Sequence, residues 1–211
     1  MVRGGGDLAT GVAWRLWRAG WPVVVCELAQ PLTIRRSVAL STAVTDGTVS
    51  VEGMVGRLAD APGAAVEVAH GGEVGVVVSP DLPAVGADVV VDARLAKRNL
   101  DTAIDDAPLV IGIGPGFRAG QDCHAVVESL RGHHLGRVRW DGSAAADTGT
   151  PGLIGGRGAE RVLRASADGM VHWKVAIGDL VTAGQEMGTA GGVAVAAPFD
   201  GVVRGLLAER T

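Results

Sequence analysis

Residues 88–134 gather the side chains best suited to chemistry. The apolar run Val89-Val90-Val91 ends in Asp92, Arg94, Lys97, Arg98, Asn99, Asp101, Asp105 and Asp106. A second run, Leu109-Val110-Ile111, breaks into Gly112-Ile113-Gly114-Pro115-Gly116, and Cys123-His124 and His133-His134 follow. The carboxylates of Asp92, Asp105 and Asp106 suit a base or a Mg²⁺ ligand, and Arg94, Lys97 and Arg98 suit an anion grip. The alternative is ion pairing among these same groups. The spacing predicts a helix over about 122–130, opened by Cys123 and His124. A thiol at a helix N-terminus has a lowered pKa, and its thiolate can hold sulfur, selenium or a soft metal. The alternative is a small buried cysteine packing that helix. No His/Cys spacing matches a zinc pattern.

A second constellation opens the chain. Gly4-Gly5-Gly6 precede Asp7, and apolar Leu8, Val12, Leu16 and Ala19 recur at helical period until Gly20. Trp21-Pro22 then lead into the strand Val23-Val24-Val25-Cys26, with Glu27 at its end. Such a glycine loop lets backbone N–H groups approach a pyrophosphate at the positive end of the helix. An acid roughly 20 residues past the loop is where a Rossmann unit binds the ribose. The spacing departs from G-x-G-x-x-G, although Gly4, Gly6 and Gly11 can serve. Asp7 would cap the helix but repel phosphate. One loop beyond Glu27, Arg35 and Arg36 suit bidentate contact with a phosphate or carboxylate, or else a solvated basic turn. Three residues precede the loop, against about five or six in an average strand, so the strand is short or the natural start lies upstream.

Short β-branched runs bounded by Gly and Pro predict a buried parallel sheet, a Rossmann-like α/β domain over residues 1–150. Open sheets of this kind place ligands at the C-terminal ends of their strands, so Gly4–Gly6 and the Gly112, Gly114, Gly116 loop are expected on one edge. Residues 37–44 read as a short helix or extended crossover, 49–53 as a strand and 54–58 as helical. Residues 66–69 and 74–78 read as strands joined by a Gly71-Gly72 turn.

After a Gly/Thr-rich linker over 148–156, Ala165-Ser166-Ala167-Asp168-Gly169-Met170-Val171 recurs as Ala197-Pro198-Phe199-Asp200-Gly201-Val202-Val203, 32 residues later. This resembles the all-β barrel-sandwich hybrid of biotinyl and lipoyl carrier domains, here over 160–211. The region between the halves, 188–195, holds no lysine, which points to a module that binds or docks and not to a swinging arm. The first copy has the turn Gly178-Asp179 nine residues after Gly169, whereas nine residues after Gly201 is Arg210. The second half is therefore expected to be incomplete. Three outcomes follow: a truncated chain, completion by a second copy in a homo-oligomer, or a poorly ordered tail from about residue 197.

With 47% apolar and 20% charged residues, the 211-residue chain can bury a core and is not of disordered composition. A net charge of −4 argues against a general nucleic-acid binder. No apolar run approaches the ~20 residues that span a bilayer, and Met1-Val2-Arg3 runs straight into glycine without a secretory pattern. Two cysteines far apart, Cys26 and Cys123, fit a reducing cytoplasm.

Taken as a set, Arg3 with residues 4–11, 31–36, Asp92-Ala93-Arg94 with 95–99, 104–116 and Arg131-Gly132-His133 resemble the YqeB-like family. The resemblance covers nearly the whole chain. It implies an accessory factor for selenium-dependent molybdenum hydroxylases, in maturation of the molybdenum cofactor or its selenium ligand. The expected ligand is nucleotide-bearing, such as a molybdopterin dinucleotide, and the expected partner is the hydroxylase apoprotein. Two other readings stand beside it: an NAD(P)-dependent oxidoreductase using residues 4–11 and Glu27, and a docking scaffold for a hydroxylase subunit. The family carries no residue with an assigned catalytic role.

Overall fold

A computed structural model describes residues 1–209. The chain divides into two compact units, Met1–Pro31 with Val38–Asp147, and Leu32–Ser37 with the chain from Thr148 onward.

The first unit runs β1 (Val2–Arg3), α1 (Asp7–Arg18), β2 (Val23–Glu27), α2 (Ala43–Asp46), β3 (Thr48–Val51), β4 (Met54–Ala59), α3 (Pro62–His70), β5 (Val74–Val78), β6 (Val89–Asp92) and β7 (Leu109–Ile113). Then follow β8 (Arg118–Ala119), β9 (Ala125–Val127), β10 (Val138–Arg139) and β11 (Gly142–Ser143). Among the described residues nine strands form one mixed sheet in the order β10-β9-β7-β6-β1-β2-β5-β4-β3, parallel except at its two ends. The β-branched runs explain it, since both faces are covered and successive side chains alternate between them. Val23 and Val25 pack with Ala9 and Ala13 of α1 and with Leu40, while Val24 and Cys26 pack with Ala65 and Ala69 of α3. Helices are few. The paths from β5 to β6 and from β6 to β7 are loops.

Three expected elements differ. Residues 54–58 are strand β4, not helix. Glu52 and Gly53 both take positive φ (51° and 81°), the two-residue turn that closes a hairpin with Val51 opposite Met54. Residues 66–69 lie in α3, because Pro62 at its first turn starts a helix whose Ala65 and Ala69 pack on the sheet, overriding the β-branched Val66 and Val68. Residues 122–130 form no helix. Asp122 instead accepts the Arg118 N–H in a turn (2.7 Å), and Ala125-Val126-Val127 pairs with β7 as β9.

In the second unit β12 (Val171–Trp173), β14 (Glu186–Ala190) and β15 (Val193–Ala196) make one antiparallel sheet, and β13 (Leu180–Val181) pairs with β16 (Gly201–Val202). Val181, Met187, Ala197, Val203 and Leu206 form its core. The residues from 197 to 209 do not hang free, as the reading of an unfinished second half expected. Val203 exchanges backbone bonds with the Gly178-Asp179 turn (2.8 and 2.9 Å), and Leu206 N–H donates to Ile34 O (2.8 Å). Trp173 donates through Nε1 to Leu207 O and through its backbone N–H to Glu209. Arg210 and Thr211, where that count ended, lie outside the described residues.

Candidate functional site

The chain leaves β1 through α1 to β2 on one side and reaches β6, on the other side of β1, only after β5. Strand order therefore reverses between β1 and β6, the position where open α/β sheets leave a crevice at their C-terminal ends. Gly4-Gly5-Gly6 follow β1 there, Ala93-Arg94 follow β6, and Gly114-Pro115-Gly116 follow β7. Both glycine loops thus emerge at one edge of the sheet.

The turn after β1 is clamped. Gly4, at φ +90°, donates to Cys26 O (2.8 Å), and a Cβ on it would lie 3.1 Å from Arg94 Cα. Gly5 donates its N–H to Glu27 Oε1 (3.0 Å) and accepts the Ser41 N–H at its carbonyl (2.8 Å). A Cβ there would stand 2.8 Å from Ser41 N, so only glycine fits. The other Glu27 oxygen accepts the Leu28 N–H. Gly6 is the N-cap of α1, whose first N–H groups receive no side-chain cap; Asp7 occupies the first turn, where its charge complements the helix dipole.

Beside it lies a saturated charge array. Asp92, 1% exposed, accepts from Arg94 and from the Thr102 hydroxyl (2.6 Å). Arg94 also reaches Asp101 (2.6 Å), and Arg3, 3% exposed, bonds Asp101 (2.8 Å) and Thr102 (3.0 Å). Asn99 holds Thr102 through paired side-chain-to-backbone bonds of 2.8 and 2.9 Å. Burial opposes the Arg94 charge, but its bonds to Asp92 and Asp101 outweigh that and hold the guanidinium protonated. The Arg3 bond, reinforced by Arg94, holds Asp101 below the usual carboxylate range. Two guanidiniums face two carboxylates, so Asp92 and Arg94 are spent on each other; neither is a free base or an anion grip. Lys97 faces Asp147 (3.6 Å).

The remaining expected residues each have their own surroundings. Asp105 and Asp106 precede β7 and so belong to the opposite edge. Asp106 accepts the Ala103 N–H (3.0 Å) and lines a hollow with Met1, Ala87 and Val90. A Mg²⁺ site shared with Asp92 is therefore not assembled. Among the described residues no group of three or more His, Cys, Asp or Glu is placed to hold a metal ion. Cys123 sits just ahead of β9, fully buried with Val90, Val110 and Phe117, and burial pushes its thiol up, the reverse of a helix-activated thiolate. His124 Nδ1 accepts the Val110 N–H (3.0 Å). Gly112 lies within β7 beneath the Phe117 ring, and Gly114 donates to Val127 O (2.8 Å). His133 and His134 stand exposed in a turn. Arg35 and Arg36 belong to the second unit, where Arg36 Nε donates to Leu206 O (2.9 Å).

Sequence reasoning passed over Arg3, Thr102 and Glu128. Glu128 follows β9 as Glu27 ends β2, and its buried carboxylate accepts the N–H groups of Leu130 and Ala145 (2.8 Å each). The signal was present: an acid directly after a β-branched run.

Compared with known proteins, the chain is 46% identical to the uncharacterized protein YqeB of Escherichia coli (strain K12) over 210 residues, 98% of this chain. That likeness supports the YqeB-like family. The chain spans 39% of the length of this relative. No family model matches the chain, and no solved structure matches it. Among the described residues no helix is long and apolar enough to cross a membrane.

Proposed function

We propose that the first unit is a Rossmann-like binder of a nucleotide-bearing ligand, working as an accessory factor in maturation of a selenium-dependent molybdenum hydroxylase. The observation that carries the binding role is the clamped glycine turn at the strand-order reversal. It opens a 12-residue helix without a side-chain cap and stands beside Glu27 at the end of the neighbouring strand. The positive end of the α1 dipole behind this turn suits phosphate oxygens against the opposing charge of Asp7, and Glu27 retains lone pairs for ribose hydroxyls. A molybdopterin dinucleotide carries both features. The hydroxylase role rests on the YqeB-like resemblance, and the second unit, read as biotinyl/lipoyl-like, is suited to docking the apoprotein. Native mass spectrometry of the protein purified from its own host tests this reading. A retained nucleotide-containing mass is expected. Saturable binding of NAD(P)H with turnover would instead favour an oxidoreductase, and co-purification of a hydroxylase without any small molecule would favour a scaffold.

A further inference from the structure

The loop from Ala93 to Asn99 joins the two glycine turns. At its start, Ala93 and Arg94 lie against Gly4; at its end, Asn99 N–H donates to Gly116 O (3.1 Å). Gly116 has φ +109°, and a Cβ on it would fall 2.4 Å from Arg98 Cα, so the two backbones touch only because Gly116 has no side chain. Within the loop Leu95 and Lys97 both take positive φ (55° and 66°), a conformation that costs non-glycine residues and persists where the surroundings impose it. The loop is thus held in an unfavourable shape at both ends. What that shape presents is Arg98. Its side chain is exposed, and it makes no hydrogen bond or ion pair among the described residues. Among the neighbouring cations Arg3 and Arg94 are committed to Asp92 and Asp101, and Lys97 faces Asp147 at 3.6 Å in an exposed pair.

We propose that Arg98 is the anion-recognising residue of this edge, binding a phosphate group of the ligand whose nucleotide the turn after β1 receives. The inference rests on the nucleotide reading for the rest of the ligand, but not for the anion itself. A guanidinium fork matches a phosphate bidentately, and a backbone fixed at Gly116 and Asn99 lowers the ordering cost of that contact.

Calorimetry on the full chain with ADP, CDP, adenosine, cytidine and inorganic pyrophosphate tests it. Arg98→Ala is expected to weaken a bound nucleoside diphosphate and pyrophosphate at least tenfold, with Arg98→Lys restoring part of the loss. Nucleoside binding should not change, and the salt dependence of diphosphate binding should become shallower. Should the alanine variant melt earlier than wild type, Arg98→Gln repeats the comparison at similar side-chain length. Equal diphosphate affinity in wild type and both neutral variants overturns the proposal while leaving nucleotide binding intact. So does a wild-type chain that binds neither pyrophosphate nor a diphosphate. Pyrophosphate bound through Arg98 as tightly as ADP or CDP, with no response to nucleosides, supports the anion site and removes the nucleotide reading.

Discussion

Glu27 Oε1 accepts the Gly5 N–H at 3.0 Å, closing the glycine turn of β1 from the end of β2. The carboxylate also takes the Leu28 N–H, so its position is fixed before any ligand arrives. Glu27→Ala should therefore act twice. Leaving the partly buried Gly5 N–H unpaired should cost about 1–3 kcal/mol of stability in urea denaturation. Affinity for a ribose-containing ligand should fall by a further 1–3 kcal/mol, roughly, by calorimetry. Lost stability with unchanged affinity would leave Glu27 as a structural clamp alone.

The array of Asp92, Arg94, Asp101, Arg3 and Thr102 joins the ends of β1 and β6. Removing one partner of a buried pair strands the other charge. Asp92→Ala is expected to destabilise the chain by about 3–5 kcal/mol. The double variant with Arg94→Met should lose less than the sum of the two single changes, because it removes both members of the pair. Additive losses in chemical denaturation would show that the pair does not act as a unit.

Neither cysteine is poised to react. Burial pushes the Cys26 thiol up to about 11, and burial also raises Cys123. A raised folded pKa contributes stability that is complete below the unfolded thiol value, about 8.5, and is lost as pH rises through the folded value. A disulfide-exchange reagent at pH 8 should label neither thiol in the native chain and both in urea. Prompt native labelling of Cys123 would restore the reactive-thiolate reading that the structure overturns.

Where the sequence was legible, local pattern and tertiary demand agreed. The turn at residues 4–6, the existence of α1, β2 and Glu27 could be read from strand, glycine and helix signals, but the buried face of α1 is Ala9, Thr10 and Ala13, while Leu8 of the expected apolar stripe is 50% exposed. The charged knot was found but its role was not. Spacing alone does not show that Arg3, in a two-residue strand, spans to Asp101, or that Asp105 and Asp106 have returned to the far edge by the start of β7. Residues 122–130 misled because a turn acid followed by small and apolar residues suits a helix start as well as a strand. The short pairing of β9 with β7 decides between them, and it is a long-range contact. The second unit takes Leu32–Ser37 from between β2 and α2, an exchange no linear reading reveals.

Glu128 offers the clearest test of edge stability against pH. Its buried position works against ionisation, but the N–H groups of Ala145, Leu130 and Ser129 outweigh this and hold its pKa below the usual carboxylate range. Asp101 is lowered too, chiefly by its bond to Arg3. A carboxylate lowered in the folded state contributes stability that is complete above its unfolded value, near 4, and is lost as pH falls through the folded one. Thermal stability should therefore hold from neutrality down to about pH 5 and decline below it. Glu128→Gln keeps an acceptor for one N–H but presents a donor to the other. Its melting temperature should be lower at pH 7 and its acid decline shallower than wild type, with the two curves converging as pH falls through the folded value. Parallel curves for variant and wild type across that range would mean that the Glu128 charge does not hold residues 129–145 in place.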